Sequence, residues 1–313
     1  MMNVSRKRVL FWGGVLVVSV AAVWLYLYLF LLKPEGRGPA GPPVPAAAFQ
    51  QPWTQRRVLA LGIGDSVTAG FGAQPPSFSY FARLVENPPE EFPELHGVCL
   101  KAVLPNLEAR NLSVSSTTSD QHLAMQVESF ETQPAELLGL VFMTSGGNDL
   151  IHNYGRTAPK PNAMYGATLE QARPWIAEFE TRLEKMVTML RDKFPGGCHI
   201  FLANIYDPSD GLGKPESVGL PPWPDLLPIH REYNAIIERC AAKHDFVHIV
   251  DMHAAFLGHG VYCTQPWTPH YRWRDPHYWY NVNLEDPNNR GYDALRRLFL
   301  LEVSKVKDQI ASH

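Results

Sequence analysis

From Arg57 onward the chain alternates short, almost unbroken apolar runs with longer stretches whose apolar positions recur every three or four residues. The short runs predict five strands, near residues 58–62, 107–114, 138–144, 199–205 and 246–251, each followed by a turn rich in Gly, Ser, Asn or Asp. The periodic stretches predict helices near 78–86, 121–127, 168–193, 229–243 and 289–308. Strands that are apolar on both faces need cover on both, so the alternation implies an α/β protein: a parallel sheet between two helical layers. Ligands of such sheets bind beyond the carboxyl ends of the strands, so residues just after each strand are the ones to read for chemistry.

The N-terminal region follows a different pattern. Arg6, Lys7 and Arg8 precede an uncharged apolar run over 9–32. A helix of about 24 residues at about 1.5 Å each reaches about 36 Å, enough to cross a hydrocarbon core of about 30 Å. Trp24, Tyr26 and Tyr28 suit a membrane interface, and the basic cluster favours the cytoplasmic side. The expectation is a cytoplasmic N-terminus over 1–8, a single-pass transmembrane signal anchor over 9–32, and the remainder outside the cytoplasm, periplasmic or extracellular. A cleaved signal peptide and a buried core helix are the alternatives, but a signal peptide's apolar core is normally shorter and its small-residue cleavage site closer than Ala46, Ala47 and Ala48. Residues 33–52 are rich in Pro, Gly and Ala and read as an extended linker with no core of its own, which leaves a domain over 53–313.

With 28 basic and 31 acidic residues the chain carries no general positive field, so nucleic acid is not an expected partner. Cys99, Cys198, Cys240 and Cys263 stand singly, without CxxC pairing, and no metal site is indicated. Disulfides and buried thiols both remain open for them.

The candidate chemistry lies in three turns. After the first strand comes Gly64-Asp65-Ser66-Val67, a serine in a small-residue turn that opens a helix, as a nucleophile requires. After the third comes Gly146-Gly147-Asn148-Asp149, where glycines admit a close ligand and Asn148 offers an amide donor. After the second, Asn111 to Ser116 offers a further backbone N–H.

These motifs, GDSV and GGND in this order behind these strands, resemble the SGNH or GDSL-type hydrolase superfamily over about residue 58 to the C-terminus. The resemblance implies a three-layer, flavodoxin-like α/β/α fold with strand order 2-1-3-4-5, preceded here by the transmembrane helix. It also implies Ser66 as nucleophile, and Asn148, Gly147 and the N–H near Ser116 as oxyanion and substrate contacts. The family usually has glycine at the position of Ser116. Its last block usually reads Asp-Xaa-Xaa-His, whereas this chain has Asn283 and Asp286 at those positions. A carboxylate of ordinary pKa is a poor base for a serine unless its pocket raises it.

A histidine from the preceding loop is therefore the expected base, from among His253, His259, His270 and His277, with Asp286 or Glu285 stabilising it. His259 is favoured by its flanking glycines, and His277 by its nearness to the vacated position and to Asp275. The aromatic residues of this loop, Trp267, Tyr271, Trp273, Tyr278, Trp279 and Tyr280, are read mostly as packing, and Arg296 and Arg297 as a solvated face.

The expected activity is hydrolysis of carboxylic esters, of acyl lipids or acetylated carbohydrates, through an acyl-serine, by a monomer needing no metal or organic cofactor. A tethered binding protein with a degenerate hydrolase fold, and an envelope acyltransferase, are the competing readings.

Overall fold

The computed structural model describes residues 2–312. Five parallel strands, β1 (Arg57–Ile63), β2 (Leu107–Asn111), β3 (Leu137–Thr144), β4 (Cys198–Ala203) and β5 (Val247–Val250), form one sheet in the order β2-β1-β3-β4-β5. This is the expected order. Central β3 is buried along its whole length. Leu138, Leu140 and Phe142 pack on one side against Leu295, Phe299 and Leu300 of the Asn289–Lys305 helix. Val141 and Met143 face the other layer, where Phe179, Leu183 and Val187 of the Leu169–Lys193 helix meet Ile229, Tyr233 and Ile237 of the Leu226–Lys243 helix. The two-residue alternation along one strand thus supplies two cores.

Two of the long helices, Leu169–Lys193 and Asn289–Lys305, begin where capping side chains stand. Thr168 accepts from Gln171 N at 3.2 Å while the Gln171 amide oxygen accepts from Thr168 N at 3.0 Å. Asn288 caps the last long helix by accepting from Arg290 N and Gly291 N, each at 3.0 Å. The predicted helix near 121–127 is a short helical turn, Ser119–Gln121, continued by a wider turn over His122–Val127.

The N-terminal helix spans Met2–Tyr26 and continues as a wider turn through Leu31. Its segment Arg8–Leu31 has mean hydropathy 2.3, is unburied, and is long and apolar enough to cross a membrane. Residues 33–52, expected to be a linker without a core, contribute Ala40, Val44 and Phe49 to the domain's own core. Ala40 N also donates to Asp293 Oδ2 at 2.9 Å.

Arg296 and Arg297 correct the sequence reading: they are buried, at 0% and 3% exposure. Arg296 donates to Asp293 Oδ1 at 2.7 Å and Glu91 Oε1 at 2.7 Å, and Arg297 to Asp293 Oδ2 at 3.0 Å. Arg83 joins the same group through Glu91 at 2.6 Å. Two acidic groups shared among three guanidinium groups make this a satisfied internal network. The four cysteines are buried free thiols.

Candidate active site

β1 ends in the turn that presents Ser66. Gly64 has φ 140°, and a Cβ there would lie 2.4 Å from the Thr144 carbonyl oxygen, so only glycine fits between the strand ends. The Gln126 amide grips both sides of this residue, accepting from Gly64 N and donating to Gly64 O at 2.8 Å each. Asp65 Oδ1 accepts from Val67 N at 3.1 Å and Thr144 Oγ1 at 3.0 Å. Ser66 is thereby fixed as the first residue of the Ser66–Ala69 helix, on the wall of a cavity.

The turn after β3 adds Gly147 and Asn148 to the same wall. Asn148 Nδ2 donates to Thr117 O at 2.8 Å, which uses one of its two amide hydrogens. That contact ties the GGND turn to the block after β2. Ser116, beside it, is exposed and has φ 67°, a left-handed conformation that explains why glycine suits this position.

The last block closes on the serine. Asp286 is near enough to Ser66 for the hydroxyl to favour its anion, but its Oδ1 has no hydrogen-bond partner, and it is the neighbouring Glu285, not Asp286, that lines the cavity. Its other oxygen is held: Asn283 Nδ2 donates to Asp286 Oδ2 at 2.7 Å. Asn283 Oδ1 in turn accepts from Asp286 N at 3.2 Å and Glu285 N at 3.3 Å, so one amide side chain organises the whole turn. Tyr206 OH donates to the Glu285 carbonyl.

Three carboxyl groups crowd this corner, and burial raises the pKa of each. Asp65 is pushed up to about 6, with Asp286 adding to the effect. Glu285 is pushed up to about 7 by burial and by the charges of Asp286 and Asp65. Asp286 is raised by burial, against the opposing pull of Ser66 and Asn283. The charge of Asp286 opposes ionisation of both Asp65 and Glu285.

The two histidines favoured from sequence lie elsewhere. The His259 ring stacks on Trp279 with centroids 3.4 Å apart, and its Nδ1 meets the His277 carbonyl at 3.0 Å. Burial lowers its pKa to about 4. His277 pairs through Nδ1 with Asp275, which also takes two contacts of 2.7 Å from Arg290. Neither ring lines the cavity. The glycines around His259 serve packing instead: Gly258 N and Gly260 N donate to the buried Asp210 Oδ1 at 2.8 Å each. A Cβ on Gly258 would lie 2.0 Å from the His270 carbonyl oxygen.

The cavity holds about 140 Å³ and runs from Ser66 between Leu150, Ile151, Tyr154, Ile205, Val218 and Leu226. Its wall is mainly apolar, as an acyl group would require. His230 is the one histidine among its described lining residues, and the sequence reading missed it. The signal was its neighbourhood on a helix whose buried positions include Ile229, Tyr233 and Asn234. Its Nε2 is committed to the Ile205 carbonyl at 2.8 Å, and burial lowers its pKa. Away from the cavity, Glu184, Cys240 and His244 gather donors within 4.8 Å that could hold a metal, but Glu184 already pairs with Lys243 at 2.8 Å.

The three motifs thus meet at the carboxyl edge of a 2-1-3-4-5 sheet, as the GDSL resemblance implies. The chain belongs to the GDSL-like lipase/acylhydrolase family, whose model matches residues 63–294. It is a carboxylic ester hydrolase of that type. Among solved structures it is similar to an extracellular lipase from Streptomyces rimosus, with 18% identity, TM-score 0.51, and coverage of 79% of this chain and 100% of that one. It is also similar to a catalytic mutant of Axe2, an acetylxylan esterase from Geobacillus stearothermophilus, with 19% identity, TM-score 0.48, and coverage of 80% and 94%. Phospholipase A1 from Streptomyces albidoflavus NA297 aligns at 20% identity and TM-score 0.46, covering 80% of this chain and 100% of that one. No curated protein matches the chain.

Proposed function

We propose that this is a membrane-anchored, extracytoplasmic serine esterase in which a carboxylate, Asp286, replaces the usual histidine as the base. The observation that carries the reading is the Asn283–Asp286 pair beside Ser66. In the common family arrangement an aspartate accepts from a histidine N–H. If the base is itself a carboxylate, a second aspartate would repel it, whereas an amide can donate to it. Asn283 makes that donation at 2.7 Å, so the two departures from the family pattern compensate each other. The raised pKa of Asp286, caused by its burial, supports the reading because it makes the carboxylate a stronger base than an exposed one.

In the proposed reaction Ser66 Oγ attacks the ester carbonyl carbon while its proton passes to Asp286. The C–O bond to the alcohol then breaks, and that oxygen takes the proton from Asp286 as acyl-Ser66 forms. Water attacks the acyl carbon, gives a proton to Asp286, and releases the carboxylic acid as Ser66 is reprotonated. Asn148, with the backbone N–H groups of Ser66 and Gly147, holds the oxyanion. The apolar cavity favours an acyl chain over an acetyl group. Anchoring rests on the exposed apolar helix Arg8–Leu31 behind a basic cluster.

The test is turnover of a p-nitrophenyl acyl ester by the wild type and by Ser66→Ala. Turnover abolished in the variant supports the reading, and undiminished turnover removes Ser66 as nucleophile. A second reading, with His230 as base, is favoured only by its place on the cavity wall. His230→Gln distinguishes the two.

A further inference from the structure

The end of the apolar N-terminal helix does not lead into a free tether; it is clamped to the catalytic domain. Leu29 and Phe30 belong to the segment long enough to span a membrane. The Leu29 carbonyl accepts from Thr264 Oγ1 at 3.1 Å and Gln265 Nε2 at 3.2 Å. The Phe30 ring packs on Trp267 with centroids 5.9 Å apart. Two residues past the segment, Lys33 Nζ donates to the Val261 carbonyl, and Pro34 O accepts from Tyr278 N at 2.8 Å. A carbonyl freed at a helix end in an apolar medium needs a donor, and here the domain supplies it.

Val261 also lines the cavity that holds Ser66. The wall of the site is therefore separated from the last residue of the span by two residues, at most about 3.5 Å each, and one lysine side chain. Trp267, packed against a residue inside the span, is still 59% exposed, and Trp273 further along the loop is 71% exposed with Arg274 4.7 Å over its ring. An exposed tryptophan with a cation over its ring, as at Trp273, suits the headgroup layer.

We infer that the segment 266–274 lies in the surface of the phospholipid bilayer that the N-terminal helix crosses, so that the site takes its ester from that same bilayer. The inference rests on the anchoring proposed above and extends it. The helix fixes depth, the segment 266–274 fixes orientation, and the buried cavity wall at Val261 is held close behind that segment.

The test uses the full chain in phospholipid vesicles, with a nitroxide on Trp267→Cys or, should that variant misfold, Trp273→Cys. Glu136→Cys, beside the start of β3 at the opposite edge of the sheet, is the reference. The loop label should lose collisions with a water-soluble nickel chelate and keep those with oxygen, while the reference label meets both. A loop label as accessible to nickel as the reference overturns the inference. In parallel, a long-chain ester dissolved in the protein's own vesicles should be consumed while the same ester in separate, protein-free vesicles is spared; equal consumption overturns the claim of supply from the same bilayer. Protein that fails to float with vesicles refutes the anchor and the docked loop together. Absence of turnover on every ester, soluble ones included, with the label at lipid depth, counts against the esterase reading and supports the docked loop.

Discussion

Replacing Asp286 with Asn removes the proposed base and little else. The side chain keeps its volume, its amide oxygen can still accept from Asn283 Nδ2, and the contacts from Asn283 Oδ1 to the backbone at 285 and 286 do not involve the changed group. The loss should therefore be chemical. A positioned general base contributes about 10²–10⁴ to rate, or about 2.7–5.4 kcal/mol at 1.36 kcal/mol per decade. The charge of Asp286 also helps to raise Asp65 and Glu285, so its removal should move any residual pH limb to lower pH. Stopped-flow measurement of the p-nitrophenol burst isolates acylation from later steps. Acylation falling by two decades or more in a variant with unchanged circular dichroism fits the reasoning. A rate within about tenfold of the wild type would refute it and point to another base.

Other expectations follow from the same geometry. Asn148→Ala should lower turnover about 10²–10³-fold through the lost oxyanion donor, read as a drop in kcat; a change confined to KM would make it a binding residue. His259→Gln and His277→Ala should leave kcat unaltered while lowering the thermal midpoint, because the His259 ring stacks on Trp279 and His277 pairs with Asp275 within the packing of that loop. Arg296→Ala should destabilise the fold by about 3–5 kcal/mol in denaturant titration, since it leaves Glu91 and Asp293 buried with less compensation. Glu285 binds its proton more tightly in the fold than in the unfolded chain, so its contribution favours folding at low pH and is lost as pH rises toward about 7. Glu285→Gln should therefore raise the melting temperature relative to wild type at pH 7.5 but not at pH 4, and equal shifts at both would contradict the assignment.

The sheet was legible because its strands are buried on both faces and therefore uniformly apolar; β3, with no exposed residue, was placed to within one position. β2 was drawn three residues too long, since the chain leaves the sheet after Asn111 while its pattern continues into the block carrying Ser116. Ser66 and Asn148 could be singled out because strand ends and glycine turns fix where such residues go, and both line the cavity. The loop between β5 and the last helix has no period, so its histidines could be ranked only by neighbours along the chain. The glycines that favoured His259 answer to Asp210, about fifty residues earlier. Arg296 and Arg297 misled for the same reason: their partners Glu91 and Glu94 lie some two hundred residues away and cannot be read from helix periodicity. The Asn283 and Asp286 substitutions looked like loss when taken singly, and only their mutual hydrogen bond shows them as a pair.

The most direct test of a carboxylate-activated Ser66 is the rate of labelling by a fluorophosphonate probe as a function of pH. The account predicts stoichiometric labelling, absent in Ser66→Ala, with a limb that rises with pH above the ordinary carboxylate range, persists in His230→Gln, and is lost in Asp286→Asn. A folded wild type that does not label, or a limb lost in His230→Gln and kept in Asp286→Asn, would contradict it.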